Sequence, residues 1–293
     1  MTELLVTTGN GMFGHALVDA LAGSEVTVRS MLRHPAMFDV AAANVRAVHG
    51  DMDDPATLGS AVAGVTDVFL CSPMDEHIAT REIAVIDAVK ATGHDVRILK
   101  LHGAVEHRGD HLSTLHQRSI DHLKKSGLRW TLICPNSVME TSLLPLAQSV
   151  EFGGIAGTSG HGKVGLVALT DVAEATAGVV SGGGFVGESV TLTGPAAVDM
   201  YEIAEALSQV LGRPISYTDM TEADYSKMLI DFGVFPDRET IEVQVLCHYR
   251  AWARGDAALV ADDFHRVTGR QPMSVLEWLR VNQSSFSAAP PSA

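Results

Sequence analysis

Three glycines near the start of the chain have the spacing of a phosphate-binding turn. They lie in Gly9–Gly14, directly after the apolar run Leu4–Thr8 and directly before the helix-periodic segment Met12–Ala22. The first glycine permits a tight turn, the second lets backbone approach a diphosphate, and the third lets the helix pack against the strand. The helix N-terminus then offers free N–H groups to phosphate. The turn predicts dinucleotide contacts from Gly9, Asn10, Gly11, Met12, Phe13 and Gly14; the alternative is a turn used only for packing.

The end of the second predicted strand indicates which dinucleotide is bound. The segment Val28–Pro35 contains two arginines and no carboxylate. A carboxylate there would bind the ribose 2′-hydroxyl of NAD, whereas an arginine fork binds a 2′-phosphate. We therefore expect NADP(H), with Arg33 on the 2′-phosphate; the alternative is a solvated surface arginine. Asp51, after the third strand, is placed either to bond the adenine or to cap the helix that opens at Asp54–Pro55.

Polar groups follow three later strands at the point where each strand ends. Cys71–Ser72–Pro73 follows the fourth strand, Lys100–Leu101–His102 ends the fifth, and Pro135–Asn136–Ser137 ends the sixth. The carboxyl ends of parallel strands meet at one edge of a sheet, and ligands bind in the crevice outside it. Further cofactor contacts are expected from Met52, Cys71, Ser72, Pro73 and Pro135. Cys71 and Cys134 are more typical of buried fillers than of nucleophiles.

Two histidines and a lysine are the candidates for acid–base chemistry in this crevice. His116 lies one turn after Leu112 on an apolar helix stripe, and His102 lies at a strand end, so both are expected to face inward. Histidine exchanges protons near neutral pH, and Lys100 is placed to touch cofactor or substrate. The alternative for His116 is a hydrogen-bonded core residue. No tyrosine precedes a lysine by four residues, so the Tyr–Lys pair of ordinary short-chain dehydrogenases is absent.

A histidine series in the same region could suggest a metal. It comprises His102, His107, His111, His116 and His122. Their spacing matches no metal-binding frame, and no Cys-x-x-Cys occurs, so no metal is predicted.

Short strands alternate with helical segments through the first half of the chain. The strands are predicted at Leu4–Thr8, Val26–Met31, Val45–His49, Asp67–Leu70, Val96–Leu101 and Trp130–Ile133. This rhythm predicts an α/β, Rossmann-type doubly wound parallel sheet in residues 1–140. Residues 141–283 are expected to form a smaller, mostly helical substrate-side subdomain, parts of which return to the sheet. A glycine-rich loop is expected at Gly153–Gly165, and the tail at 284–293 is expected to be disordered.

The net charge of −14 argues against nucleic acid and anionic membranes as partners. No apolar run is long enough for a membrane span, and a strand-like run at Glu3 leaves no room for a signal peptide before it. We expect a cytoplasmic monomer or homodimer acting on a small molecule.

The sequence resembles the NmrA-like family, atypical short-chain dehydrogenases that include bacterial quinone reductases and isoflavone-reductase-like enzymes. The resemblance covers the chain to about residue 283 and rests on the glycine turn and on motifs in both halves. These are Leu32–Pro35, Gly50–Pro55, Phe69–Pro73, Lys100–Leu101, Cys134–Pro135, Val138–Glu140, Leu192–Pro195, Leu211–Pro214 and Val267–Pro272. It implies NADPH held by the first domain and a substrate cleft beneath the second. The chain departs from the family pattern at His102, where serine is common, and at Ile120, where glutamate is common.

Three functions are compatible with these features. The first is an NADPH-dependent reductase of a quinone, conjugated enone or imine, electron-poor acceptors that need little help from a tyrosine acid. The second is an NADP(H)-sensing regulator without turnover, which the missing tyrosine favours. The third is a non-redox cyclase or isomerase built on the same fold.

Overall fold

The computed structural model describes residues 2–105 and 111–287, with only the backbone of residues 111 and 112. Its strands are β1 Glu3–Val6, β2 Thr27–Leu32, β3 Val45–His49, β4 Asp67–Leu70, β5 Arg97–Leu101, β6 Arg129–Pro135, β7 Gly154–Gly157, β8 Ser189–Leu192 and β9 Ser216–Asp219. Within the described ranges, seven parallel strands form one sheet in the order β3-β2-β1-β4-β5-β6-β8. The predicted Rossmann-type sheet is therefore confirmed.

Helices cover both faces of this sheet. In chain order the α-helices are α1 Met12–Leu21, α2 Leu58–Val62, α3 Ile78–Ala91, α4 His111–Lys125, α5 Met139–Leu143, α6 Ala147–Glu151, α7 Leu169–Gly182, α8 Met200–Leu211, α9 Glu222–Asp231, α10 Arg238–Ile241, α11 Cys247–Ala253, α12 Asp263–Thr268 and α13 Val275–Val281. Alternation along β1 divides the core, because Leu4 and Val6 pack with α1 and α7 whereas Leu5 packs with α2 and α3.

The chain reverses its direction of winding at β1. Strands β2 and β3 extend the sheet from one side of β1, and β4, β5, β6 and β8 extend it from the other. Leu5 is paired with both Arg29 of β2 and Val68 of β4. The carboxyl ends of β1 and β4 therefore border the crevice where a doubly wound fold binds its ligand.

The second half of the chain has an apolar core of its own, built largely from α8, α9, α11 and α13. Strand β8 and helix α7 return to the large sheet, as the sequence allowed. The glycine-rich segment Gly153–Gly165 is not only a loop, because it contains β7, which pairs with β9. The sequence around β7 does not by itself indicate a strand, because the partner strand β9 lies far along the chain.

The expected disorder of the tail does not begin at residue 284. Gln283–Phe286 forms a 3-10 helix, and Phe286 is buried against Trp278, with 6.3 Å between the ring centroids. Burial of this large ring stabilises the end of the fold. Residues 288–293 lie outside the described residues. Among the described helices, none is long and apolar enough to cross a membrane.

Candidate active site

The glycine turn after β1 is shaped by close packing at two of its three glycines. A Cβ on Gly9 would lie 1.6 Å from Ser30 Oγ, and one on Gly14 would lie 2.0 Å from the carbonyl oxygen of Thr8. At Gly11 the nearest atom is 3.3 Å away, so protein packing constrains this position least. Gly11 is the N-cap of α1, and no side chain caps that helix. The first turn thus keeps the unsatisfied N–H groups that favour a phosphate.

Thr7 joins the two strands that border the crevice. Its hydroxyl donates to the carbonyl oxygen of Cys71 at 2.6 Å and accepts the N–H of Cys71 at 3.0 Å. Burial raises the pKa of the Cys71 thiol and raises that of Cys134 to about 11. Both thiols are therefore neutral near pH 7 and do not act as nucleophiles there.

Arg33 lies directly after β2, and Asp51 lies in the loop after the neighbouring strand β3. Arg33 is exposed, and its carbonyl oxygen lies 3.2 Å from Nδ1 of His49. Asp51 accepts the N–H of Asp53 at 3.0 Å, whereas Asp54 caps the following 3-10 turn. Asp51 therefore orders the loop rather than capping that turn, and contact of either residue with a cofactor stays a prediction.

The other predicted cofactor residues differ in the exposed fraction of their side chains. Met52 is 7 % exposed and packs in the core between the sheet and α3, so only its backbone could meet a ligand. Pro73 is exposed, Pro135 is buried at the end of β6, and Met12 beside the glycine turn is 40 % exposed.

Arg81 on α3 clamps the loops after β3 and β4, a role that sequence reasoning missed. Its guanidinium donates to Asp53 Oδ1 at 2.6 Å and to Asp75 Oδ2 at 2.7 Å. The hydrogen bonds from Arg81 hold the pKa of each carboxyl below its usual range. The clamp fixes the rim of the crevice beside Met52 and Ser72.

Lys100 is fully buried at the end of β5. Its ammonium lies 2.8 Å from Glu82 Oε1, 2.6 Å from the carbonyl oxygen of Leu101 and 3.2 Å from His116 Nδ1. An ammonium has three donors, and these three acceptors use them all. In this arrangement the described contacts of the ammonium are all with the protein, and contact of Lys100 with cofactor or substrate stays a prediction.

Glu82 is the second residue that sequence reasoning missed. It is fully buried on α3 and accepts hydrogen bonds from Ser72 at 3.0 Å and from Ser119 at 2.5 Å. The available signal was a carboxylate on the apolar stripe of α3, between Ala79 and Ile86. An ionised carboxylate at such a position requires a partner, and the partner comes from β5.

His102 and His116 contact each other, and their predicted role in acid–base chemistry stays a prediction. Their ring centroids are 5.3 Å apart in an edge-on arrangement. The segment carrying His102 is anchored to β6, because the His102 N–H donates to the carbonyl oxygen of Ile133 at 2.9 Å. Burial, with the Lys100 charge second, lowers the pKa of His102 to about 4 and that of His116 to about 3. Both imidazoles are therefore neutral near pH 7.

His102 Nδ1 is one of few buried side-chain polar atoms in the described ranges that have no hydrogen-bond partner. Buried polar atoms are normally paired, so an unpaired one beside a crevice marks a place for a ligand or a water. This nitrogen and the first turn of α1, which no side chain caps, both fit a bound dinucleotide, because each offers polar groups that the described protein leaves without a partner.

The rest of the histidine series adds no metal-binding group. His107 lies outside the described residues, and nothing is described of the His111 side chain. His122 pairs instead with Asp87 on the surface, at 2.7 Å. No three His, Cys, Asp or Glu side chains group together in the described part of the chain, and the absence of a metal stays a prediction.

A family model described as NAD(P)H-binding matches residues 9–181, more than half of the chain. The chain belongs to this NAD(P)H-binding family. It is 27% identical over 290 residues to the NAD(P)H azoreductase of Xenophilus azovorans, covering 98% of this chain and 100% of that one. It is 28% identical over 242 residues to quinone oxidoreductase 2 of Escherichia coli (strain K12), covering 80% and 83%.

The structure of the E. coli quinone oxidoreductase complexed with NADPH superimposes with a TM-score of 0.85, at 23% identity over 96% of this chain and 99% of that one. The predicted fold is thereby confirmed, and the family model and the two relatives bear out the predicted relationship to NAD(P)H-binding reductases. With reductases matched along most of its length, this member of the NAD(P)H-binding family is an NAD(P)H-dependent oxidoreductase.

Proposed function

We propose that the protein is an NADPH-dependent reductase of small electron-poor acceptors, namely quinones, conjugated enones or imines, working without a Tyr–Lys pair. One observation carries this proposal. Two neutral imidazoles, one with an unpaired buried nitrogen, lie beside the carboxyl end of β5, and doubly wound folds bind their ligands outside the carboxyl ends of the strands. The relatives named as azo and quinone reductases support the acceptor class.

Several features support NADPH over NADH. Arg33 is exposed at the end of β2, where the chain has no carboxylate to repel a 2′-phosphate. Gly9–Gly14 with the α1 N-terminus would hold the diphosphate, and Asp51 would meet the adenine. Met52, Cys71, Ser72, Pro73 and Pro135 would line the remainder of the cofactor cleft. When bound, the dihydronicotinamide supplies a hydride.

The histidines serve this reaction as neutral hydrogen-bond donors. Reduction of the acceptor takes one hydride and one proton, and the dinucleotide leaves oxidised. Because the lowered pKa values leave few imidazolium ions at pH 7, His102 or His116 would donate a hydrogen bond to the oxygen or nitrogen that gains charge, and water would supply the proton. Preorganised donors of this kind lower the barrier without reorganisation.

Two tyrosines of the second half, Tyr225 and Tyr249, are unsuited to the acid role. Tyr225 and Tyr249 are buried against each other, with ring centroids 5.7 Å apart. Burial raises the pKa of both hydroxyls.

The cytoplasmic location, the monomeric or homodimeric state and the absence of nucleic-acid partners stay predictions.

An assay panel tests the proposed activity. Purified protein is mixed with NADPH and, separately, menadione, 2-cyclohexenone and a cyclic imine, and loss of the reduced-nicotinamide absorbance is followed. We expect turnover with at least one class, and a loss of about 10²-fold in kcat for His102→Asn. His122→Asn is the matched control, because His122 of α4 forms an exposed pair with Asp87 of α3. This variant should leave kcat unchanged.

Two outcomes of the panel contradict the reductase proposal. Tight NADPH binding with no turnover on any acceptor would favour an NADP(H)-sensing regulator or a non-redox enzyme. Equal kcat for wild type and His102→Asn would remove His102 from the site.

A further inference from the structure

Glu82, Lys100 and His116 form a buried chain of contacts that runs from α3 through β5 to α4. The Glu82 carboxylate is 2.8 Å from the Lys100 ammonium, which in turn is 3.2 Å from His116 Nδ1. Both charged side chains are fully buried. A buried lysine keeps its proton only beside a compensating charge, and in the described structure Glu82 is the carboxylate that contacts it.

The lysine determines which nitrogen of His116 carries the proton. An ammonium has no acceptor, so the contact between Lys100 Nζ and His116 Nδ1 requires Nδ1 to be the acceptor. A neutral imidazole carries one proton, and that proton must then be on Nε2. The only N–H of the His116 ring therefore lies on the side away from Lys100.

The Glu82 carboxylate is itself held from both sides. Ser72, in the loop after β4, donates to Oε1 at 3.0 Å, and Ser119, one turn along α4 from His116, donates to Oε2 at 2.5 Å. Ser119 is also within 2.9 Å of the carbonyl oxygen of His116. The carboxylate thus joins the loop, the strand and the helix that surround the two histidines.

We propose that Glu82 is a positioning residue that holds the Lys100 ammonium against His116 and so fixes His116 as the Nε2–H tautomer, the form that can donate a hydrogen bond away from Lys100. The role of that donor rests on the proposed reductase function, but the tautomer itself does not. Without the Glu82 carboxylate, the ammonium loses the acceptor that holds it beside Nδ1. His116 then exchanges freely between its two tautomers.

The first experiment reads the tautomer directly. Uniformly ¹⁵N-labelled protein, with neither cofactor nor acceptor added, is examined by long-range ¹H–¹⁵N correlation spectra of the histidine rings at pH 7.5. We expect His116 to show an unprotonated Nδ1 and a protonated Nε2. A protonated Nδ1 in the wild type would overturn the proposal, whatever the activity.

Glu82→Gln is the test variant, because it removes the charge and keeps the shape. We expect the two ring nitrogens of His116 to move toward averaged shifts, kcat to fall about 10-fold to 100-fold, and the Kd for NADPH to stay within about 2-fold. Glu82→Asp, which keeps the charge, should recover much of the tautomer signature. An unchanged His116 spectrum in Glu82→Gln would overturn the proposal.

Asp67→Asn is the matched control. It removes the carboxylate of another buried ion pair, in which Asp67 of β4 contacts Arg97 at the amino end of β5. We expect the His116 tautomer and kcat to be those of the wild type. If Asp67→Asn changed the tautomer as much as Glu82→Gln, the effect would be general destabilisation, and the positioning role would fail. A protein inactive on all acceptors would refute only the reductase function.

Discussion

Strand β5 carries a buried cation near each end, Arg97 and Lys100, and the ion pairs that these two cations form differ in what surrounds them. At the amino end, Arg97 donates to Asp67 at 2.7 Å and to the carbonyl oxygens of Gly184 and Val179 at 3.0 and 3.2 Å. At the carboxyl end, Lys100 pairs with Glu82 but also contacts a histidine, and the neighbouring His102 has an unpaired nitrogen.

The difference indicates that the pair of Arg97 and Asp67 is structural, whereas the pair of Lys100 and Glu82 lies next to the candidate active site. The amino-end contacts named here all stay within the protein, so this pair fixes the packing of β5 against the end of α7. At the carboxyl end, the His102 ring contacts His116 and has a buried nitrogen without a described hydrogen-bond partner, which marks a place for a ligand or a water. We therefore assign a structural role to the amino-end pair and propose a role in the reaction for the carboxyl-end pair.

Breaking each pair from its cationic side should give the largest effects. Arg97→Met and Lys100→Met each leave a buried carboxylate uncompensated, which costs about 3–5 kcal/mol. Urea unfolding followed by tryptophan fluorescence measures this loss. In single-turnover assays the folded fraction of Lys100→Met should be slowed about 10²-fold, and that of Arg97→Met should match the wild type. Equal slowing of both variants would erase the distinction between the two ends.

The next effect concerns an exposed cation at the carboxyl end. Arg33→Ala should weaken NADPH binding by about 10-fold to 100-fold, since a hydrogen bond to a charged group contributes about 1.5–3 kcal/mol. Affinity for NADH, which lacks the 2′-phosphate, should stay within about 2-fold. Calorimetric titration of both nucleotides measures the two values. Equal weakening for both nucleotides would remove the 2′-phosphate from Arg33.

A smaller effect is expected on the pH dependence of the free energy of unfolding, and it should arise from the two histidines near the carboxyl end of β5. The folded pKa values of His102 and His116 are about 4 and about 3, whereas unfolded histidine titrates near pH ~6.5. Between these values the unfolded chain binds protons that the folded protein does not, so stability is lost as the pH falls below about 6.5.

Replacing both histidines by asparagine should therefore flatten the stability loss between pH 7 and pH 5. The expected change is on the order of 1 kcal/mol per histidine, measured by urea unfolding at each pH. Asp67→Asn at the amino end should leave the slope over this interval unchanged. A double variant whose slope matches the wild type would mean that the histidines are not held neutral by the fold.

The smallest effect is expected from a surface pair at the amino end of β6. Arg129 donates to Asp95 at 2.7 Å, but the two side chains are 39% and 78% exposed. Exposed pairs contribute about 0–1 kcal/mol. Arg129→Ala should therefore shift urea unfolding by less than about 1 kcal/mol and leave the Kd for NADPH unchanged. A larger shift in the free energy of unfolding would show that the exposed fraction of the two side chains does not predict how much this ion pair stabilises the protein.

Much of the fold could be predicted from sequence because its signals are local. The bounds of β3 and β4 match the predictions, and helices α8 and α13 begin with capping boxes, Asp199 with Glu202 and Ser274 with Glu277. Strand β7 could not be predicted, because its pairing with β9 depends on residues about 60 positions away.

The site divides in the same way. The glycine turn and the inward position of His116 follow from spacing along one element. The partners Glu82 and Arg81 lie on α3, and only the packing of that helix against the sheet brings them to Lys100 and Asp53. Sequence could place a carboxylate on the apolar stripe of α3 but could not name its partner.

The most direct test of the contrast between the two ends is a ¹⁵N NMR titration of the labelled protein with NADP⁺. The account predicts that the ring nitrogens of His102 and His116 shift on saturation, whereas the Arg97 Nε–H resonance at the other end of β5 does not move. Unmoved histidine resonances in the saturated protein, or a shift at Arg97 as large as that at His102, would contradict it.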